Sequence, residues 1–273
     1  MKKLIFYVVL STVMSFMILG NSVLIKNVVY TKSVKGEWSK KTFENNGFTL
    51  PYQIYTPKDT KNKKLPLVIY LHGTGEAGTD NEAQMYKGKN IGPDYFSSPE
   101  IQGIQAAYVL APQTPKDMRW ASTTLDEYDL STTPVTPSME ALLKLIDEVS
   151  KKYPIDTDRI YIAGLSRGGQ GTWNAALLKP EKFAAVVPIA GSGGVKDAGK
   201  LSKTAIWVFH GDEDEVTKVN YSRNMVFAII KAGSTLDLLR YTEIRGGNHE
   251  ASWLTAHKNS DLYKWMIQWE LGK

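Results

Sequence analysis

YIAGLSRGGQG, residues Tyr161–Gly171, runs from an apolar stretch into a small-residue segment, with one serine set between glycines at the junction. The residues before it, RIYIAG (Arg159–Gly164), have the continuous apolar character of a strand covered on both faces, and those after it read as a closely packed helix. Gly164-Leu165-Ser166-Arg167-Gly168 therefore matches the G-x-S-x-G pattern, a strained strand-to-helix turn that displays a serine hydroxyl. Larger neighbours would collide with the adjacent strand or helix. The competing reading of Ser166 is a small residue in a tight turn. A phosphate-binding loop is disfavoured, because no Lys-Ser/Thr pair ends the glycine-rich run.

Working outward, other runs of strand length repeat the pattern. FTLPYQIYT (Phe48–Thr56) alternates like a partly exposed strand, while LPLVIYLHG (Leu65–Gly73) is continuous. AAYVLAP (106–112), AAVVPIAG (184–191) and TAIWVFHG (204–211) are further buried strands, and LDLLRYTEI (236–244) reads as the last one. Between them lie helical periodicities. Met139, Leu142, Leu143, Ile146 and Val149 share one face of a segment opened by Thr136-Pro137 and closed before Pro154. Val216–Ala232 reads as a helix ending at Gly233. Leu262, Trp265, Met266 and Trp269 mark a C-terminal helix with Ser260 as its cap. Strands alternating with helices imply an α/β fold with a mostly parallel central sheet and helices on both faces. In such sheets chemistry collects at the carboxyl ends of the strands, and the polar, glycine-rich loops of this sequence all fall there.

The first residues differ from the rest. Two lysines precede seventeen uncharged, mainly apolar residues, Leu4–Gly20. This layout is expected of a signal peptide or an N-terminal membrane anchor over residues 1–22, either of which takes the chain out of the cytosol. Residues 23–46 are then an extension with a first edge strand, and 47–273 one catalytic-sized domain without repeats or linkers.

Composition removes several classes of function. The 273 residues include no cysteine, which excludes disulfides, zinc thiolates and a cysteine nucleophile. The formal net charge is +5, or +3 without Lys2 and Lys3, and runs such as KDTKNKK (58–64) lack interleaved aromatics, so no nucleic-acid role is assigned. Nothing calls for a metal or an organic cofactor.

A serine hydroxyl needs a base to take its proton and an acid to orient that base. Of four histidines, His72 and His210 end buried strands and read as structural, and His257 has no motif around it. His249 follows RGGN in a loop after the last strand, late in the chain, where a base falls in the order Ser, acid, His. The acid belongs on the loop after AIWVFHG. Asp212 is nearer the strand and Asp214 has more reach, and the spacing leaves both open.

The motifs LPLVIYLHGTGEAGTDN, APQTPKDMRW, IYIAGLSRGGQGTW, VFHGDEDEV and GGNHEASW, in this order, resemble the secreted α/β-hydrolase serine esterases. These include the feruloyl-esterase-like, polyhydroxybutyrate-depolymerase-like and bacterial predicted-peptidase groups. The resemblance runs from about Gly47 to the C-terminus. It implies a triad of Ser166, His249 and Asp214, the last because the acid closes H-G-x-x-D in that family. The oxyanion hole would be the backbone amides of Arg167, directly after the serine, and of Thr74, by likeness to H-G-x-G loops; a plain glycine turn is the alternative for the latter. Glu76 and Asp80 would brace this loop or be merely solvated. Only Ser192–Lys203 separates Gly191 from the next strand, which leaves no room for a cap domain. An open cleft suits small esters as well as esters on a polysaccharide or polymer. Trp120 would either wall the site for substrate or cover the core. Esters are expected ahead of peptides; a serine peptidase and a non-catalytic surface-binding protein are the alternatives. The membrane would be met only through the N-terminal segment.

Overall fold

The apolar runs assemble into one eight-stranded sheet in the computed structural model, which describes residues 36–58, 63–86, 90–124 and 126–272. The expected signal or anchor, most of the extension after it and the middle of the lysine-rich loop at 59–62 lie outside the described residues. All described residues fall within one compact unit, Thr31–Lys273.

The strands are β1 (Gly36–Asn45), β2 (Phe48–Pro57), β3 (Leu65–Leu71), β4 (Tyr108–Pro112), β5 (Ile155–Leu165), β6 (Ala185–Ile189), β7 (Ala205–Gly211) and β8 (Leu239–Ile244), in spatial order β1-β2-β4-β3-β5-β6-β7-β8. β1 lies at the edge, antiparallel to β2, and β2 is antiparallel to β4; every other pair is parallel. Every residue of β3, β6 and β7 is buried, as their unbroken apolar runs require.

Two apolar layers cover the sheet. On one face lie α4 (Pro137–Lys152), α5 (Arg167–Leu178) and α6 (Asn220–Lys231); Met139, Leu142, Ile146, Trp173 and Met225 from these helices join Leu67, Ile69 and Ile162 of the sheet. On the other face, α2 (Gly92–Ser97), α3 (Pro99–Ile104), α7 (His249–Lys258) and α8 (Ser260–Met266) contribute Phe96, Ile101, Trp253, Tyr263 and Trp265. A one-turn helix, α1 (Ala83–Tyr86), also falls between β3 and β4.

Local chemistry sets the helix ends. Thr136 Oγ1 accepts from Met139 N at 3.1 Å with Pro137 in the first turn, so α4 begins where expected. On its buried face Leu145 is fully covered and Leu143 only partly. α6 starts at Asn220 rather than Val216, because the Asp214 carboxylate accepts from Val216 N and Thr217 N and holds those residues in a turn. α8 is capped by Asn259, whose side chain accepts from Asp261 N, and not by Ser260, which is the first helical residue. The stretch carrying His249 is the opening of a helix, not a loop, because Asn248 Oδ1 caps Ala251 N at 3.0 Å.

His257, also on α7, is buried against Tyr70 and Tyr95, with ring centroids at 5.3 and 5.4 Å, and its ring nitrogens have no hydrogen-bond partner among the described residues. Burial pushes its pKa down to about 3. His72 is also lowered, to about 4, by burial first and with a further push from Arg167, against a backbone bond to Gly73. Both rings are therefore neutral when folded, while the unfolded chain takes up protons below about pH 6.5. Stability present above that pH is lost as the pH falls toward 4, each site contributing on the order of 3 kcal/mol at the end of that window. In His257→Phe, the urea midpoint should fall less steeply between pH 7 and pH 4.5 than in the parent; an identical slope would refute this account.

Candidate active site

β5 ends at Leu165, and the next residue, Ser166, takes φ 54° and ψ −118° before α5 begins. Such backbone is rare for a residue with a side chain and costs about 1–3 kcal/mol. It persists because the turn is over-determined. Ser166 N donates to Ile189 O at 2.8 Å, and a Cβ on Gly168 would stand 2.0 Å from the carbonyl oxygen of Leu71. Glycine at 168 is thus what lets α5 pass close to β3.

The carboxyl end of β7 supplies Asp214 and that of β8 leads to His249. His249 Nε2 lies 2.8 Å from Ser166 Oγ, and its Nδ1 lies 2.6 Å from Asp214 Oδ2. Nδ1 faces a carboxylate and so carries the ring proton, which leaves Nε2 to accept from the serine hydroxyl. Of the two acids left open by spacing, Asp214 makes this contact; Asp212 turns back onto β8 through its amide, which donates to Ile244 O.

Asp214 is held from several sides. Val216 N and Thr217 N each donate to Oδ1 at 2.8 Å, and His210 Nε2 lies 3.2 Å from Oδ2. Its side chain is fully buried. Burial alone would raise its pKa, but the hydrogen bonds from His210, His249 and Thr217 outweigh that and hold the carboxyl well below the usual range. His210 is itself anchored by Thr217 O and Ser222 Oγ, both at 2.7 Å. It has the structural role read from its place at a strand end, with the added consequence that it positions the acid.

The loop after β3 brings Gly73, Thr74 and Gly75 to the same cavity, of about 680 Å³, that Ser166, Arg167 and His249 line. Arg167 opens α5, where a backbone N–H has no intrahelical acceptor. His72 joins this loop to the one after β4, accepting from Thr114 N at 3.0 Å and donating from Nδ1 to Gly73 O at 2.7 Å. Asp80 is a cap, accepting from Glu82 N and Ala83 N, and Gln113 ties it to Glu76 O.

Trp120 corrects the expectation of an aromatic wall. It is fully buried, its Nε1 donates to His72 O at 3.3 Å, and its Cβ abuts Gly171. It fills the core beneath the site and offers no face to substrate. The aromatic side chain in the cavity is Trp253, packed edge-on to His249 at 5.1 Å. Four residues after His249 on one helix, it was within reach of sequence reasoning. Arg119, Thr124 and Asp126 also line the cavity; Arg119 falls within the APQTPKDMRW motif, and no motif marks the other two.

The described β6-to-β7 segment holds only a 3-10 turn, Val195–Leu201, and no separate cap domain. An uncapped, mostly parallel sheet with a Ser, His and Asp on its carboxyl rim defines an α/β-hydrolase. Residues 54–252 match the phospholipase/carboxylesterase family, and the chain belongs to it. It is 33% identical over 171 residues to a bifunctional acetylxylan esterase/xylanase of Neocallimastix patriciarum, a match covering 62% of this chain and 22% of that protein. An uncharacterized secreted protein of Arthroderma benhamiae is 25% identical over 284 residues, covering 87% and 27% of the two chains. The chain thus spans about a quarter of the length of these relatives. A thermostable esterase of known structure superposes with a TM-score of 0.79 at 34% identity, over 85% of this chain and 63% of that one.

Proposed function

We propose that this protein is a serine esterase that cleaves carboxylic esters through an acyl-enzyme on Ser166. The observation that carries the reading is the continuous hydrogen-bond chain from Ser166 through His249 to Asp214, opening into a cavity. Ser166 Oγ attacks the ester carbonyl carbon while His249 Nε2 takes the hydroxyl proton, and Asp214 stabilises the imidazolium that forms. The negative charge moves to the carbonyl oxygen, where the amides of Thr74 and Arg167 donate to it. Collapse of the tetrahedral species expels the alcohol, which leaves with the proton from His249. Water, deprotonated by the same ring, then attacks the acyl-enzyme and releases the acid.

The uncapped cleft favours substrates larger than the pocket, including esters borne on a polysaccharide or another polymer, as well as small esters. Likeness to an acetylxylan esterase/xylanase supports that direction. Export is inferred from the apolar Leu4–Gly20 run together with likeness to a secreted protein.

A fluorophosphonate should label the full-length protein on Ser166, located by peptide mass spectrometry, and His249→Ala should abolish labelling. A folded protein that takes no label, or one labelled equally without His249, would refute the assignment.

A further inference from the structure

Two arginines line the cavity that holds Ser166, and neither is in a salt bridge among the described residues. Arg167 is 5% exposed; Nη1 donates to Met118 O at 3.1 Å, and its buried Nε has no acceptor there. Taking a guanidinium out of water without a carboxylate is unfavourable. The cost shows in its pKa, lowered by burial and by the neighbouring charge of Arg119, with Glu76 acting in the opposite sense. Arg119 is partly exposed on the loop after β4 and makes no hydrogen bond or ion pair among the described residues.

Two acids, Asp126 and Glu76, line the same wall. Asp126 accepts from Thr124 Oγ1 at 2.7 Å and from the Tyr221 hydroxyl, and these bonds keep it ionised. Glu76 is buried and has an interaction of its own. The cavity therefore holds two guanidinium groups beside the reacting serine, neither in an ion pair with Asp126 or Glu76 among the described residues, although Glu76 is near enough to act on the charge of Arg167.

We propose that Arg119 and Arg167 form a subsite for a carboxylate carried by the substrate, so that the enzyme selects anionic esters over neutral ones. This rests on the esterase reading above. Guanidinium groups match a carboxylate through paired N–H donors, and at a partly dry site such bonds are stronger than in water. The carboxylate sits on either the acyl or the alcohol half of the ester, within one cavity length of the carbonyl.

Two substrate pairs separate those cases in the full-length protein. Mono-p-nitrophenyl adipate against p-nitrophenyl hexanoate places the charge on the acyl side at constant chain length. 4-Acetoxybenzoate against its methyl ester places it on the alcohol side. The quantity read is the ratio of kcat/KM, charged over neutral, in the parent, Arg119→Met and Arg119→Lys, with fluorophosphonate labelling of Ser166 as a check that the site is formed. For one pair the ratio should fall about ten- to a hundredfold in Arg119→Met and recover partly in Arg119→Lys. Labelled protein whose ratios are the same in all three forms would overturn the subsite and leave the esterase reading standing. Absence of both labelling and turnover in the parent would overturn the two together.

Discussion

Ser166→Ala is expected to lower kcat/KM for an activated ester by at least roughly 10⁴-fold, with the fold intact. Among the described residues the hydroxyl makes one side-chain hydrogen bond, to His249 Nε2, so its removal deletes the proposed nucleophile and little else. Alanine at φ 54° is as strained as serine, so the melting temperature should hardly move. Ser166→Gly extends the test: it should be equally inactive and more stable by about 1 kcal/mol, since glycine adopts that backbone without strain. Esterase kinetics alongside urea denaturation decide the matter. Retained turnover in Ser166→Ala would remove this serine from the chemistry, and an unchanged Ser166→Gly stability would remove the strain argument.

Asp214→Asn should be nearly as damaging, at about 10⁴-fold in kcat, for a reason visible in the hydrogen bonds. Two backbone amides donate to Oδ1, so the amide oxygen of an asparagine must take that place. The new NH₂ then falls where Oδ2 stood, facing His249 Nδ1 and His210 Nε2. His210 cannot turn its Nε2 into an acceptor, because that nitrogen donates to Thr217 O. His249 must either lose its Nδ1 proton to accept the bond, which places hydrogen on Nε2 and stops it from receiving the serine proton, or leave a buried clash of donors. A stability loss of about 1–3 kcal/mol should accompany the loss of rate. Asp212→Asn, measured in parallel, should stay within about threefold of the parent, since its carboxylate does not reach His249. More than a tenth of parental kcat in Asp214→Asn would contradict this arrangement.

Much of the site was legible because its motifs encode local geometry. Ser166 lies between glycines at 164 and 168 because a Cβ at either would meet backbone, and that requirement is written in the residues themselves. The order of serine, acid and base followed from strands that could be counted by their apolar runs. Less was legible wherever a residue's role depends on what approaches it from far along the chain. Asp212 and Asp214 are alike in sequence; the turn at Val216 and Thr217 and the entry of His249 from beyond β8 distinguish them. The start of α6 at Asn220 is hidden from the sequence for the same cause, since the periodicity from Val216 carries no sign that a carboxylate claims the amides of Val216 and Thr217.

Continuous apolar runs, glycine spacing and the serine's immediate neighbours by themselves determined a parallel α/β sheet and the strand-to-helix turn, because these depend on backbone sterics and on periods of a few residues. Tertiary structure alone decided that Trp120 is sealed in the core while Arg119, one residue before it, faces the cavity. It also decided that His210 buttresses Asp214 and that Trp253 stands beside His249. Which side of a loop meets solvent, and which polar groups meet across the carboxyl ends of four strands, is fixed by the packing of segments distant in sequence.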